Sequence, residues 1–592
     1  VRHDSSQSRY AAARLGPARR GTDLARLRSE RFDVLVIGGG VTGAGAALDA
    51  ASRGLSVALV EARDLAAGTS SRSSKLIHGG LRYLEQLEFG LVREALRERG
   101  LLATRLAPHL VRPLPILVPL TAERSGPLRV PQRVWHRAYY GAGVAVYDAF
   151  AGVFGGDRGM PGHRHLGRTA THRAFPSLRL DHLTGAIRYY DGQVDDARFV
   201  TTLARTAACL GAAVVTSVRV VDLVRRAREV TGVVARDAET GETFTIAART
   251  VVAATGVWSD DISEMLSEPG APVRAGLRVR ASKGVHLVVP RSAISGEAGL
   301  ILRTATSVLF VLPWGGHWII GTTDTDWTLD RTHPAASARD IAYLLTQVNH
   351  WLDRPLSTSD IEGVYAGLRP LLRGEDDQTS KLSREHAVVE PMLGFMLVAG
   401  GKYTTYRVMA ADVIDRAARR LGPQVPRSRT DLLPLLGADG YPAMWRDRAD
   451  LARRHRVPAG ALEHLLERYG TLAVDLLALI RDRPALATPV PGAPEYLGAE
   501  VAYAAGAEAA LHVDDVMARR TRISIETVHR GVDSAPAVAA IMAEVLGWDA
   551  ARREREVADY LTRVAAERES QRMPDDLSAD IARLGARDAR VG

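Results

Sequence analysis

The segment DVLVIGGGVTGAGAALDAASRGLSVALVE, residues 33–61, holds three glycines whose spacing could bind a pyrophosphate. Gly38 permits a tight turn after an apolar strand. Gly40 lets backbone amides approach the phosphates at a helix N-terminus, and Gly43 lets that helix pack on the sheet. Glu61 closes the second strand, about 20 residues on, where a carboxylate accepts hydrogen bonds from ribose hydroxyls. Such spacing predicts a bound dinucleotide but does not separate NAD from FAD. Two further segments bear on that choice. VVAATGVWSD puts Thr255 and Gly256 at a strand end, as in flavoprotein turns that lie against the cofactor. MLVAGGKYTTYRVMAADVI puts Gly401, Lys402 and Thr404 where a strand gives way to a helix. A helix N-terminus there offers amides and positive potential to a reduced flavin.

The elements that must position these groups follow from pattern. Residues 32–61 read as strand, glycine turn, helix and strand, with a helical pattern from about Leu81 to Leu106. Residues 107–150 carry no clean period. Asp195 and Asp196 look like N-caps of a helix reaching Cys209, followed by alternating strands. Strand-like segments recur at 249–257, 277–290, 308–323 and 387–399, and beyond about 430 the pattern becomes amphipathic helix. The expected fold is an α/β FAD-binding Rossmann-like domain interleaved with an inserted mixed or antiparallel β substrate domain over 32–429. A C-terminal α-helical domain is expected over 430–592.

At 592 residues and 63.9 kDa the chain needs more than one core, and its 46% hydrophobic content is that of a globular protein. No apolar run is long enough to predict a bilayer-crossing helix, and no secretory start is evident, so a cytoplasmic compartment is expected. The single cysteine, Cys209, excludes an internal disulfide or iron–sulfur relay and reads as a small core residue. No metal site is expected. Net charge is +9, and residues 1–31 carry eight arginines against Asp4, Asp23 and Glu30. They read as a basic, disordered extension, with an electrostatic hold on anionic lipid as the sharper alternative. Of the 77 basic residues only Lys75, Lys283, Lys381 and Lys402 are lysines. All four fall in motif-like stretches, which suggests sites where a compact ammonium is required.

At GTSSRSSKLIHGGLRYLE, residues 68–85, the chain closely resembles the membrane-associated, FAD-dependent glycerol-3-phosphate dehydrogenases. The resemblance continues through YYDGQVDDARFV, SKGVHLVVP, IGTTDTDW, GLRPLL, LSREH and GGKYTTYR, and reaches the helical region at EAALHVDDVMARRTRISIE. It implies oxidation of glycerol 3-phosphate to dihydroxyacetone phosphate, with FAD as cofactor and a respiratory quinone as acceptor. It also implies peripheral association with anionic lipid on the inner face of the plasma membrane, and leaves a homodimer open. Tyr403 departs from it, standing where the family more often has an aliphatic residue.

The same resemblance implies the site. Ser70, Ser71, Ser74, Lys75, His78 and Gly79 join the cofactor set. Arg82, Tyr83 and Arg384 hold substrate, and Arg369, Lys402 and His286 do the chemistry. Guanidinium forks and an ammonium suit a phosphate dianion. His286 is the preferred base because imidazole titrates near neutral pH, with a depressed-pKa Lys402 as its rival. Asp324 and Asp326 are expected to bond local backbone. Two other readings stay open: an oxidase using oxygen and releasing hydrogen peroxide, and a basic flavin-containing nucleic-acid binder. The second is weakened because residues 1–31 offer only Tyr10 as an aromatic before Arg31, and Phe32 follows, so no stacking platform is expected and no nucleic-acid partner is assigned.

Overall fold

The computed structural model describes residues 11–80, 88–121, 160–181, 183–267, 273, 276–304, 308–373, 385–586 and 588–590. Strands Arg31–Ile37, from residue 34 on, and Val57–Val60 are apolar runs buried on both faces, as parallel strands between helices must be. They lie at the centre of an eight-stranded sheet whose main path runs His386–Met392, Phe395–Gly400, Thr243–Ala253, Arg31–Ile37, Val57–Val60, Ala213–Val215. Of its five pairings the first is antiparallel and the other four, from Phe395–Gly400 to Ala213–Val215, are parallel. Helix Val41–Ser52 covers this sheet with Ala44, Ala46, Ala47 and Ala50, all fully buried. Small residues let it pack closely on helices Tyr406–Leu421 and Asp196–Cys209; a β-carbon at Gly45 would already lie 2.8 Å from the Tyr406 ring.

A second, ten-stranded sheet is mostly antiparallel and is built around Val279–Pro290, which pairs with Gly363–Leu372 along its length. Val285, Leu287, Val289, Trp318 and Ile320 face a core closed by Leu344 and Val348 of helix Ala338–Asn349. Ser337 and Asp340 close that helix's N-terminus with a capping box. Two segments expected as single strands are hairpins instead. Residues 308–323 turn at Gly315–Gly316, and 387–399 turn at Leu393–Gly394, where Gly394 has φ +79°. The turn glycines, Gly315–Gly316 and Gly394, are the local signals that divide each segment in two.

The C-terminal part is helical, with cores around Leu462, Leu465, Leu466 and Leu476 and around Val501, Ala504, Val538 and Met542. Among the described residues no helix is long and apolar enough to cross a membrane. Asp195 caps helix Asp196–Cys209, accepting from Arg198 N at 3.1 Å, whereas Asp196 turns inward to Lys75. Cys209 is only partly buried, beside the C-terminal core, and not a full core residue.

The expected disordered extension is corrected for its described part. Pro17–Ser29 is a helix that buries Leu24 and Leu27 against the sheet. Asp23, fully buried, accepts from Arg19 at 2.8 Å and from Val214 N at 3.3 Å, and Arg20 grips Asp237 at 2.9 Å. Just before it, Leu15 N donates to Ala507 O and Ala509 N to Leu15 O, tying the segment to the helical part. High charge had masked a leucine pair spaced for one helix face. Leu27→Ala should cost about 2–4 kcal/mol and lower the thermal unfolding midpoint. An unchanged midpoint would mean that this helix is not packed as described.

Candidate functional site

The glycine turn after Arg31–Ile37 opens on a long cleft with about 1940 Å³ of empty space, part of it open to solvent. Gly38 makes the turn at φ +108°, and a β-carbon there would lie 2.6 Å from Ala254 O. Gly43 stays behind the turn; its β-carbon would sit 1.9 Å from Gly38 O, so only glycine lets the helix approach. Glu61 accepts Gly39 N at 2.6 Å and Arg63 N at 2.8 Å, which fixes its carboxylate at the cleft wall. Ser70 Oγ accepts Val41 N at 3.0 Å at the start of helix Val41–Ser52.

Of the residues singled out from sequence, Gly38, Gly40, Glu61, Ser70, His78, Thr255, Gly256 and Gly401 line the cleft. Arg369 and Lys402 line it too. Arg82, Tyr83 and Arg384 lie outside the described residues, as does Lys381. The remaining ones stand behind the wall. Thr404 Oγ1 accepts His78 N at 3.1 Å and donates to His78 O at 3.2 Å, clamping the histidine's backbone. Gly79 N donates to Asp191 at 3.4 Å. Ser71 O accepts the Lys75 ammonium at 2.7 Å.

Lys75 itself is fully buried and pairs with both oxygens of Asp196, at 2.7 and 2.8 Å. Burial and the nearby Arg522 lower its pKa to about 8, against the pull of Asp196. Its role in the structure is to hold the 69–75 loop down, not to face the cleft. Lys283 is likewise fully buried, between Asp340 and Asp576 at 2.6 Å each and 4.9 Å from the Trp327 ring centroid. An ammonium fits these closed sites where a planar guanidinium would need more room.

Arg369 is held by Thr322 Oγ1 at 3.0 Å, Thr323 O at 3.1 Å and Asp324 at 3.4 Å. Asp324 therefore orients an arginine and accepts from Ser282, and Asp326 pairs with Arg280 at 2.7 Å. Both make side-chain contacts across strands, and Asp326 also accepts the expected local backbone bond, from Trp327 N. His286 is buried and does not line the cleft: Nε2 meets Ser74 Oγ at 2.8 Å, and its ring stacks on Tyr365 with centroids 4.7 Å apart. Burial, reinforced by Arg369 and Lys75, keeps its pKa well below the usual histidine value. Tyr403, the departure from the family pattern, donates its hydroxyl to Asp196 O at 2.6 Å.

Sequence reasoning missed several wall residues. Arg63 lies 5.5 Å from the centroid of Trp258, and both line the cleft with Ser73 and Arg219. Trp258 lies within VVAATGVWSD, but no spacing rule marks Arg63 or Arg219. The wall also fits a flavin dinucleotide. Thr255 Oγ1 is buried without a hydrogen-bond partner among the described residues, and a β-carbon on Gly256 would meet nothing within 4 Å. A group filling the cleft would satisfy the one and use the room beside the other.

A doubly layered α/β protein with a dinucleotide cleft beneath an antiparallel sheet is the class that this geometry defines. Residues 33–407 match the family model described as FAD dependent oxidoreductase, and 428–553 match the C-terminal domain of alpha-glycerophosphate oxidase. The chain is 55% identical over 582 residues to glycerol-3-phosphate dehydrogenase 2 of Mycobacterium tuberculosis, covering 98% of this chain and 96% of that protein. It is 53% identical over 591 residues to the glycerol-3-phosphate dehydrogenase of Mycobacterium leprae, covering 100% and 98%. The solved glycerol-3-phosphate dehydrogenase of Bacillus halodurans, complexed with FAD, superposes with a TM-score of 0.74 at 27% identity, covering 93% of this chain and 97% of that one. The chain belongs to the FAD-dependent glycerol-3-phosphate dehydrogenase family.

His109, His286 and His333 are all held neutral by burial, His109 with a pKa of about 3. The unfolded chain takes up these protons near pH 6.5 and the native one does not, so stability is present above that pH and lost as pH falls below it. In His286→Gln the loss between about pH 6.5 and 5 should be shallower than in the wild type. Identical acid profiles of the unfolding midpoint would show that this imidazole is not kept neutral.

Proposed function

We propose that the chain binds FAD in the cleft and oxidises sn-glycerol 3-phosphate to dihydroxyacetone phosphate, passing the electrons to a respiratory quinone. The observation that carries this reading is one continuous cleft walled by the Gly38–Gly40 turn and Glu61 and also by Arg369 and Lys402. A dinucleotide cradle and a cationic wall thus share a single space. The identity to glycerol-3-phosphate dehydrogenases over nearly the whole chain supports the substrate.

Bound FAD supplies the two-electron acceptor. In this reading Gly38, Gly40, Glu61, Ser70, Thr255, Gly256 and Gly401 hold it, while Ser71, Ser74, Lys75, Gly79 and Thr404 brace the loops that do so. His78 faces the same cleft. Arg369 grips the substrate phosphate; its bonds to Thr322 and Thr323 hold the fork in place before binding, which limits the entropy lost. Lys402 adds a compact ammonium, and Arg82, Tyr83 and Arg384 complete the clamp. Because His286 stands behind the cleft wall with Nε2 on Ser74 Oγ, it takes the hydroxyl proton through a relay, which its neutral ring can terminate. Lys402 is the rival base.

Oxygen is the alternative acceptor, since the family model matched by residues 428–553 carries an oxidase's name. The same proposal places the chain in the cytoplasm, peripheral on anionic lipid at the inner face of the plasma membrane, with a homodimer as the assembly to be tested.

Anaerobic addition of glycerol 3-phosphate to the purified protein should bleach the yellow flavin absorbance with stoichiometric formation of triose phosphate. Quinone should then restore the colour; rapid restoration by oxygen with peroxide release would assign the oxidase instead, and no bleaching would end the proposal. Arg369→Ala should raise KM for glycerol 3-phosphate by about 10–100-fold, the worth of a charge-assisted bond. An unaltered KM would remove Arg369 from the phosphate clamp.

A further inference from the structure

The loop that lines the cleft through Ser70 and Ser73 turns Ser71 and Arg72 into a second cavity. It holds about 660 Å³ of empty space, part of it open to solvent, between strand Gly363–Leu372, the 518–525 segment and helix Ala550–Ser570. Its walls are cationic beyond what the protein neutralises. Arg530, Arg563 and Arg583 converge on one carboxylate, Glu567, with Arg563 Nε at 3.3 Å and Arg583 Nη2 at 3.2 Å on the same oxygen. Asp514 assists Arg563 from outside the cavity. Arg72, on the opposite wall, makes no ion pair or side-chain hydrogen bond among the described residues, and the charges nearest to it are mostly other arginines. Arg583 is 3% exposed, yet its Nη1 is buried without a hydrogen-bond partner. Arg519 and Arg522 also line the space, but they are matched by Asp64, Asp514 and Asp515 and by Asp195 and Asp196.

Arg72, Arg530, Arg563 and Arg583 share Glu567, with Asp514 divided between Arg563 and Arg519, which leaves positive charge on largely buried guanidiniums that water solvates poorly. The cost is visible in Arg72, whose pKa is brought down to about 9 by burial, Arg563 and Arg63. Arg583 falls to about 10, chiefly through burial. A ligand with two or more negative oxygens would remove this imbalance and fill the open valence of Arg583.

We propose that this cavity is a binding site for a small, multiply charged oxyanion of the phosphate class, gripped by Arg72 and Arg583 and separate from the glycerol 3-phosphate site. The site is mechanically joined to the cleft. Tyr365 lines the cavity, stacks on His286, and donates its hydroxyl to Ser73 O at 3.0 Å, while Ser73 itself lines the cleft. An anion between Arg72 and the C-terminal arginines therefore pins the 69–75 loop to the helical part and steadies the wall from which His286 is held.

Thermal unfolding of the holoenzyme is followed while inorganic phosphate is titrated at constant ionic strength, with chloride as the matched control. A saturable, phosphate-specific rise in the midpoint is expected in the wild type and also in Arg369→Ala, which lacks the guanidinium of the cleft. In Arg72→Gln and in Arg583→Gln the half-saturating phosphate concentration should increase at least about tenfold. KM for glycerol 3-phosphate in Arg72→Gln should stay within about twofold of the wild type, since this arginine is outside the substrate clamp. Arg72→Lys, which keeps the charge, guards against a folding defect and should retain the rise. A rise abolished by Arg369→Ala but kept in both glutamine variants would assign phosphate to the cleft and overturn the proposal. A chloride-like effect, or no saturable rise in the wild type, would overturn it equally.

Discussion

A buried ammonium held by a buried carboxylate joins the three parts of this protein. Lys75 belongs to the loop beside the glycine turn, Asp196 begins the helix that packs under the first sheet, and Arg522 comes from the helical part. Arg522 also reaches Asp195, as does Arg468 at 3.1 Å. Burial alone would raise the Asp195 pKa, but these guanidiniums hold its carboxyl well below the usual range. Each charge depends on partners from another part of the chain. Removing one leaves an uncompensated ion in the interior, which is among the costliest defects a fold can carry. The network therefore fixes how the helical part docks, more than it adds to net stability.

That docking decides the shape of both cavities. The 69–75 loop is a partition: Ser70 and Ser73 face the dinucleotide cleft, and Ser71 and Arg72 face the arginine-lined cavity. This short partition is anchored at one end by Lys75 and at the other by Thr69 Oγ1, which donates to Leu368 O at 2.5 Å, with Ser73 bonded to Asp196 between them. The helical part is thus more than an appendage to an oxidoreductase. It supplies Arg519 and Arg520, which bind Asp64 of the loop after the second strand at 2.5 and 2.6 Å, and so braces the cofactor side of the cleft from behind.

How much of this was legible in the chain follows from the range of the interactions. The Gly38, Gly40 and Gly43 turn with Glu61 could be read because its geometry is local, set within one strand, one turn and one helix. The scarcity of lysine pointed to real constraints at Lys75 and Lys283, although the carboxylates they bind lie 121 and 57 or more residues away. The basic N-terminal segment was misread because charge was counted where Leu24 and Leu27 mattered. His286 was marked as a histidine beside the substrate, yet its contacts are with Ser74 and Tyr365, more than 70 residues distant on either side.

The sequence by itself determined the dinucleotide turn, the alternation of parallel and antiparallel β regions, the helical C-terminal part and the family, because each rests on periodicity or on residues close together in the chain. Only the tertiary structure decided which motif residues face the cleft and which are buried braces. It also decided where six arginines meet around one small cavity. Those outcomes depend on long-range pairing of charges and on which face of a strand or loop is turned inward, and neither is carried by any local stretch of residues.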